Sequence, residues 1–509
     1  MRIISSLIIL MSLFRSISAF SQAGTLDSTF GTNGTLIINT GHRYSAGNAV
    51  AIQSDGKILV GGSAADDVLF KDFALVRYMP DGTPDNTFGT NSVVVTDLGI
   101  ENGEANSIAI QPDGKIILAG FYGSNGASNF TLVRYFPDGS IDNTFGKSGI
   151  VNMDFAGYDI GHAIVLQPDG KIVDAGASYP YDLDHEVVRF TTDGSLDDTF
   201  GSGGKTVTPI GSGDDAAYSV ALQQDGKIVS GGYANVEGYV NFALVRYNEN
   251  GFPDSTFGVN GIVANEHGFG KGVGVQADGK ILLCGYSHND FALIQYNSDG
   301  SVDSSFGTDG VAITDFSGNF DLGNAMVILP EGKIVIAGES DVALEGDFAL
   351  AQYNPDGSAD KSFGSKGKLT TSFGNSSSAH AIALQPDGKV VAAGVVDDSA
   401  GTSIAVARYT DGFGTAVQSI PAILNSISIS PNPFHDFATV EYALLQDEKL
   451  AARLTDASGS TIQNIFSDQI RSKGIHHEML HMNKSLPAGN YFLVITDGLH
   501  EVSVAAVKQ

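Results

Sequence analysis

At ~100 to 200 residues per domain, 509 residues predict several units or one large repetitive domain with an appendage. Hydrophobic residues make up 42% of the chain, enough for a large core, and its 63 glycines exceed the typical ~7% share. A formal charge of −29 makes a phosphate backbone an unsuitable partner, so nucleic-acid binding is not expected, and the single Cys284 excludes an intramolecular disulfide framework.

Arg2 leads into an apolar run over residues 3–14, followed by the small or polar residues Ser16, Ser18, Ala19, Ser21 and Ala23. A basic start, a short apolar stretch and small residues at a cleavage position predict a secretory signal peptide over residues 1–23. The run is shorter than the ~20 residues a spanning helix needs, so the mature chain is expected to carry no transmembrane anchor.

Residues 24–414 are repetitive. A Phe-Gly pair recurs at Phe30, Phe88, Phe145, Phe200, Phe257, Phe306 and Phe363, and a tight-turn element such as Pro112-Asp113-Gly114-Lys115 recurs once between pairs. Asp-Gly between β-favouring runs is a hairpin signal, because both central positions need positive φ. Around these turns lie short strand-like segments, for example 93–97, 107–111, 115–121 and 130–135. We label the four strands of each unit A to D in chain order. Seven such units predict a seven-bladed β-propeller of four-stranded blades. The last unit stops after Tyr409, and residues 26–31 hold the missing copy of the D-to-A connection, so the N-terminal segment is expected to dock on the last blade and close the ring.

The spacing separates two rims. From the residue ending strand D (Tyr78, Tyr135, Phe190, Tyr247, Tyr296, Tyr353) to the next Phe-Gly glycine is 11 residues every time, whereas the A-B and C-D segments vary in length. Loops that vary on a fixed scaffold are where binding groups concentrate. The variable rim therefore supplies the candidate ligand residues Tyr44, Tyr122, Tyr158, Tyr181, Tyr233 and Tyr286, with Tyr218 and Phe269 among the other aromatics there. Aromatic planes beside acids and amides suit carbohydrate or a peptide surface. The fifth unit is short in both variable segments and should leave a notch.

An acid stands three residues before every Phe: Asp27, Asp85, Asp142, Asp197, Asp254, Asp303 and Asp360. Seven copies indicate a structural task, turn capping or pairing with the strand-D arginines Arg77, Arg134, Arg189, Arg246 and Arg408, which become Gln295 and Gln352 in two units. Calcium is the one cofactor considered for them, on their oxygen chemistry; otherwise none is expected. His477-Glu478-Met479-Leu480-His481 matches a zinc-protease pattern, but that chemistry requires a helix, and the segment is predicted strand. Four residues of strand span ~13 Å, too far for both imidazoles to share a zinc.

The units, as in Gln111-Pro-Asp-Gly-Lys-Ile-Ile-Leu-Ala-Gly120 and Leu132-Val-Arg-Tyr-Phe-Pro-Asp-Gly-Ser-Ile-Asp-Asn-Thr-Phe-Gly146, resemble the delta-60 repeat of bacterial surface and secreted proteins over residues 26–413. The resemblance implies an exported propeller-like protein and brings no catalytic residue. After a neutral linker at 415–425, the tail at 426–509 carries Ser430-Pro431-Asn432-Pro433-Phe434, Asp456-Ala-Ser-Gly459 and Leu486-Pro-Ala-Gly489-Asn-Tyr491, and resembles the type IX secretion C-terminal sorting domain of Bacteroidetes. That implies a small β-sandwich read by the type IX secretion machinery, and a secreted or outer-surface location.

No nucleophile elbow, phosphate loop or dinucleotide fingerprint stands in a suitable context. The combined expectation is an all-β exported protein, a propeller plus C-terminal β-sandwich, acting as a noncatalytic binding module for an extracellular glycan or protein. The alternatives are a polysaccharide-active hydrolase or lyase with its site in the channel, and a structural cell-surface component.

Overall fold

A computed structural model describes residues 24–66, 70–124, 127–155, 157–179, 183–316, 320–342, 345–398, 401–410, 424–430, 437–444, 447–455, 461–481, 486, 489–496 and 501–508. The expected signal peptide, Tyr181 and most of the linker lie outside these residues. Among them every regular element is a strand.

The first blade shows the pattern: Tyr44–Ile52, Ile58–Ala65, Asp72–Tyr78 and Val93–Thr96 pair antiparallel in chain order. The first strands of the seven blades are Tyr44–Ile52, Asn102–Ile110, Ile160–Leu166, Asp215–Leu222, Phe269–Val275, Asp321–Ile328 and Ser377–Leu384. They touch one another in cyclic order, the last returning to the first, and so surround the axis of a seven-bladed propeller. Middle strands are covered on both faces by neighbouring blades. They are therefore apolar at consecutive positions, as in the fully buried run Phe73-Ala74-Leu75-Val76, instead of alternating. The cores lie between blades: Ile117, Phe130, Leu132 and Phe145 of the second pack against Ile172, Val188 and Phe190 of the third.

Blade and sequence unit are offset by one strand. The strand after each Phe-Gly pair pairs with strand D of the preceding unit, as Val93–Thr96 after Phe88-Gly89 does with Asp72–Tyr78, because the connection of constant length between them folds back on strand D, Asp85 N–H donating to the Arg77 carbonyl and Arg77 N–H to that of Ser92. The offset closes the ring. Thr35–Ile38 pairs antiparallel with Thr402–Thr410 as the outer strand of the last blade, and Thr25–Leu26 extends that pairing.

The repeated Arg, Asp, Phe and Gly form one lock between blades. Arg134 Nε donates to Asp142 Oδ2 at 2.9 Å, and its Nη1 donates at 2.6 Å to the Thr192 carbonyl of the next blade. The guanidinium lies 4.4 Å from the Phe145 ring centroid, and the Gly146 amide donates to the Asp193 carbonyl, again in the next blade. Burial opposes ionisation of Asp142, but the Thr144 hydroxyl and amide, Arg134 and Lys115 outweigh it and bring its carboxyl down to about 2. Arg77–Asp85, Arg189–Asp197 and Arg246–Asp254 repeat the pair, and Arg408–Asp27 makes it between the two ends of the propeller. Where Gln295 and Gln352 replace arginine, the turn lysines close in instead, Lys280 Nζ to 2.6 Å from Asp303 and Lys333 Nζ to 2.7 Å from Asp360.

In the tail, Leu424–Ser430, Phe437–Leu444 and Gly474–His481 form one sheet, and Thr461–Arg471, Glu448–Thr455, Gly489–Thr496 and Glu501–Lys508 the other. Val440, Tyr442 and Leu480 of the first share a core with Leu454, Phe466 and Leu493 of the second, a small β-sandwich.

Replacing Asp27 by Ala leaves Arg408 buried without its carboxylate, and is expected to lower the unfolding free energy by ~3–5 kcal/mol in urea titration. A loss no larger than that of the exposed turn variant Asp55→Ala would show that closure does not depend on this pair.

Candidate functional site

Every axial strand carries a β-bulge at the same place. Pairing with the second strand slips between Gly47 and Ala49, and equivalently at Ala105/Ser107, Gly161/Ala163, Ala217/Ser219, Gly270/Gly272, Gly323/Ala325 and Ala379/Ala381. A glycine opposite makes this possible. At Gly62, Gly120, Gly176, Gly232, Gly285, Gly338 and Gly394 an added Cβ would lie 1.8–1.9 Å from the carbonyl oxygen two residues before the extra residue. Bulges re-aim side chains, and the extra residues here are Asn48, Asn106, His162, Tyr218, Lys271, Asn324 and His380.

These seven side chains form a ring around the axis. Asn48, Asn106 and Asn324 each donate from Nδ2 to a carbonyl of the next axial strand, at Ala105, Gly161 and Ala379, over 2.9–3.1 Å. His380 Nδ1 lies 3.1 Å from Asn48 Oδ1, joining last blade to first. His162 stacks on Tyr218 with centroids 4.3 Å apart, and Lys271 Nζ sits 3.6 Å from the Tyr218 centroid. Burial pulls Lys271 down to about 8. Burial, with help from Lys271, also pulls His162 down to about 3; His380 falls to about 4 from burial, with Glu104 opposing and Lys271 assisting. That one lysine acts on histidines two blades away in either direction shows how closely the ring converges.

On blades three to five the ring continues into an aromatic cluster. Phe269 stacks between Tyr233, 4.1 Å away, and Tyr286, 5.4 Å away, and meets Tyr218 edge-on at 5.6 Å. Tyr158 lies near enough to Tyr218 to influence its ionisation. Of the candidates Tyr44, Tyr122, Tyr158, Tyr181, Tyr233 and Tyr286, the structure thus gathers Tyr158, Tyr233 and Tyr286 around Tyr218. Tyr44 instead lies under Arg43, and Tyr122 packs by Gly99 in the second blade. The short fifth unit has a physical form: Gly268 alone joins His267 to the axial strand at Phe269, and two residues, His288 and Asn289, both at positive φ, turn Ser287 into Asp290. The shortest connection into an axial strand, Gly268, therefore leads directly into the strand that carries Phe269 and Lys271.

Of the ring only Tyr218 was named from the sequence, as a rim aromatic, although the ring's signal is regular: each member stands nine residues before the turn lysine, and each glycine five after it. A second unanticipated feature is the fully buried Asp174 and Glu186 on the third blade. Burial raises both, Glu186 to about 7 despite Lys205 Nζ at 3.1 Å.

The remaining motifs resolve structurally. In all seven repeat acids one oxygen accepts the hydroxyl and amide of the Thr or Ser two residues on, as Asp85 does from Thr87, and the other meets Arg or Lys. Both oxygens are engaged within the protein. His477 and His481 lie on the strand Gly474–His481, paired with Phe437–Leu444, and Glu478 is ion-paired to Arg471. Cys284 is buried, which pushes its thiol up to about 12.

The depressed histidines define a pH dependence. Unfolded histidine takes up its proton near ~6.5, so the stability contributed by folded, neutral His162 and His380 is complete above that pH and is lost as pH falls toward 4. Glu186 acts oppositely between its unfolded value and about 7, so the comparison with a variant is what reports the histidines. Between pH 7.5 and 4.5, roughly the window these shifts set, a His162→Asn/His380→Asn double variant is expected to lose less melting temperature than the parent. Parallel curves would contradict neutral, buried imidazoles.

Seven segments, 53–88, 111–145, 167–200, 223–257, 276–306, 329–363 and 385–411, match the family model described as "Domain of unknown function (DUF5122) beta-propeller". No curated protein matches. Among solved structures, a fungal alcohol oxidase of the AA5 family in complex with copper is 13% identical with a TM-score of 0.45, covering 94% of this chain and 98% of that one. The polysaccharide lyase Uly1 is 13% identical at 0.42, covering 71% and 89%, and a protein of unknown function from Dyadobacter fermentans is 9% identical at 0.41, covering 74% and 98%. Such distant likeness carries no information on activity. The matched segments hold the Arg or Gln, the Asp and the Phe of six interblade locks, Arg408 of the seventh, and all seven bulge glycines, while all seven ring residues fall outside them. Residues 53–411 are thus built on seven copies of the DUF5122 β-propeller repeat, one for each blade.

Proposed function

We propose that this is an exported, noncatalytic binding propeller whose extracellular ligand, a glycan or protein, enters the channel mouth at blades three to five. The carrying observation is the asymmetry of the ring: identical backbone positions hold Asn, His, Tyr and Lys, and an aromatic cluster adjoins only His162, Tyr218 and Lys271. Half-buried aromatic residues that carry a hydroxyl, as Tyr218, Tyr233 and Tyr286 do here, serve ligands that combine apolar and hydrogen-bonding surface. Export rests on the apolar leader at residues 3–14 and on the tail at 426–509, whose resemblance to type IX sorting domains would make the secretion machinery its partner and the outer surface or medium its destination.

A second reading, a polysaccharide hydrolase or lyase, draws on His162, Tyr218, Lys271 and His380 lying together in the channel, where imidazole, phenol and ammonium could move protons on a bound sugar. An array of bacterial, plant and host glycans and matrix proteins separates the two. Saturable binding to the full chain that falls about tenfold or more in Tyr233→Ala and Tyr286→Ala, at unchanged melting temperature, is expected for the binding reading. Mass-spectrometric appearance of shortened or unsaturated products would establish turnover instead. Deleting residues 426–509 is expected to leave the protein in the periplasm, as read by cell fractionation.

A further inference from the structure

The channel mouth differs from the rest of the propeller in what its polar groups are bonded to. The tyrosines that end strand D use their hydroxyls inside the fold: Tyr135 with Thr96, Tyr247 with Thr208, Tyr296 with Asn265, Tyr353 with Thr314 and Tyr409 with Thr371. Among the described residues, Tyr218, Tyr233 and Tyr286 make no such bond. The turn lysines Lys57, Lys115, Lys171, Lys227, Lys280, Lys333 and Lys389 each meet a carboxylate. Lys271, among the described residues, meets none and donates no hydrogen bond; its ammonium rests on the faces of Tyr218 and Phe269, at 3.6 and 4.8 Å from their centroids.

The nearby acids are already committed. Asp215 accepts from the amides of Ile210, Gly211 and Asn235, and Asp214 from that of Leu183. Glu104, whose charge reaches His380, is paired with Lys71 at 2.9 Å. What remains is a cluster of donors, one ammonium and three phenols, set in a chain of net charge −29. A half-buried ammonium held only by ring faces keeps its N–H groups short of acceptors, and a neutral ligand would cover it without supplying a countercharge.

We propose that this cluster is an anion subsite that takes the acidic group of a glycan, with the carboxylate or sulfate on Lys271 and neighbouring sugar hydroxyls on Tyr218, Tyr233 and Tyr286. The inference rests on the glycan-binding form of the proposed function and narrows it to acidic sugars. The minimal loops at Gly268 and His288–Asn289 leave that mouth open to a polymer. Asn106 and Asn324, whose Nδ2 groups are used within the ring, present Oδ1 as acceptors for further hydroxyls.

The test is calorimetric titration of the full chain with oligomers of galacturonate, glucuronate and mannuronate, each beside its fully methyl-esterified form, together with a sulfated galactan oligomer and an oligoglutamate peptide. At least one acidic sugar is expected to bind about tenfold or more tighter than its neutral counterpart, the worth of one charge-assisted contact. Lys271→Met should abolish that difference and Lys271→Arg retain part of it. Should the methionine variant fold poorly, reductive methylation of the parent protein supplies the reading: the acid, and not its ester, should protect Lys271. Equal binding of acid and ester, equal labelling of Lys271 with both, or oligoglutamate binding as well as the sugars would overturn the acidic-glycan subsite while leaving a binding propeller. Binding of no saccharide in either form would overturn the glycan reading itself. Stronger binding of the sulfated oligomer than of the uronates would support the subsite with sulfate as its anion.

Discussion

The contact on which the rest of this propeller depends is the cation that each lock places on the repeat aspartate between two blades, an arginine in five of the seven. One guanidinium neutralises an aspartate of its own blade, caps a carbonyl of the next and covers the ring of a buried Phe. A buried ion pair gains little when its desolvation is uncompensated; here compensation is nearly complete, because the Thr or Ser two residues on supplies two further donors to the same carboxylate. The fifth and sixth blades show what is essential. With Gln295 and Gln352 in place of arginine, Lys280 and Lys333 move onto the acid, so the positive charge is kept and its covalent origin is not.

Because the lock is made on the rim of constant loops, it fixes the spacing of the axial strands and leaves the opposite rim unconstrained. The same division appears along the chain. Turn, second strand, third strand and, in the first six units, the connection as far as its Phe make up the segments matching the DUF5122 repeat; the axial strand that follows carries the channel residue and lies outside them. The bulge links the halves. A glycine in the second strand lets a backbone carbonyl approach, the axial strand gains a residue, and that residue is turned toward the axis.

How much of this was legible depended on the kind of signal. The Phe-Gly and Asp-Gly periods gave blade number and closure, because backbone φ and turn length leave direct marks in sequence. The pairing of Asp142 with Arg134 was one of two structural readings, and only coordinates choose between capping and pairing; both occur. Tyr233 and Tyr286 were selected by rim position, and Tyr44 and Tyr122 by the same rule, yet loop membership says nothing about which blades converge. Lys271 and His162 were passed over because each stands as a single polar residue in a strand of small and apolar ones, as in Gly270-Lys271-Gly272-Val273, where exposure on an ordinary strand is the simplest interpretation. Asp174 gave no warning either, since Val60 and Leu118 fill the same slot in the first two blades.

The seven ring positions offer an internal control that a single site lacks. At three of them Asn donates across to the next axial strand, a bond that ties blade to blade and that the same residue could make everywhere, as the repeated aspartate does on the other rim. Blades three, four and five give this up in succession: among the described hydrogen bonds none from His162, Tyr218 or Lys271 replaces it. Consecutive loss of a stabilising contact on the three blades where aromatics gather is hard to derive from the needs of the fold, because the fold supplies its own better solution at equivalent positions. Local departures from a rule that the rest of the molecule obeys are where selection for binding outweighs selection for stability. On that ground the arc from His162 to Lys271, and not the more regular half of the ring, is where the ligand meets this protein.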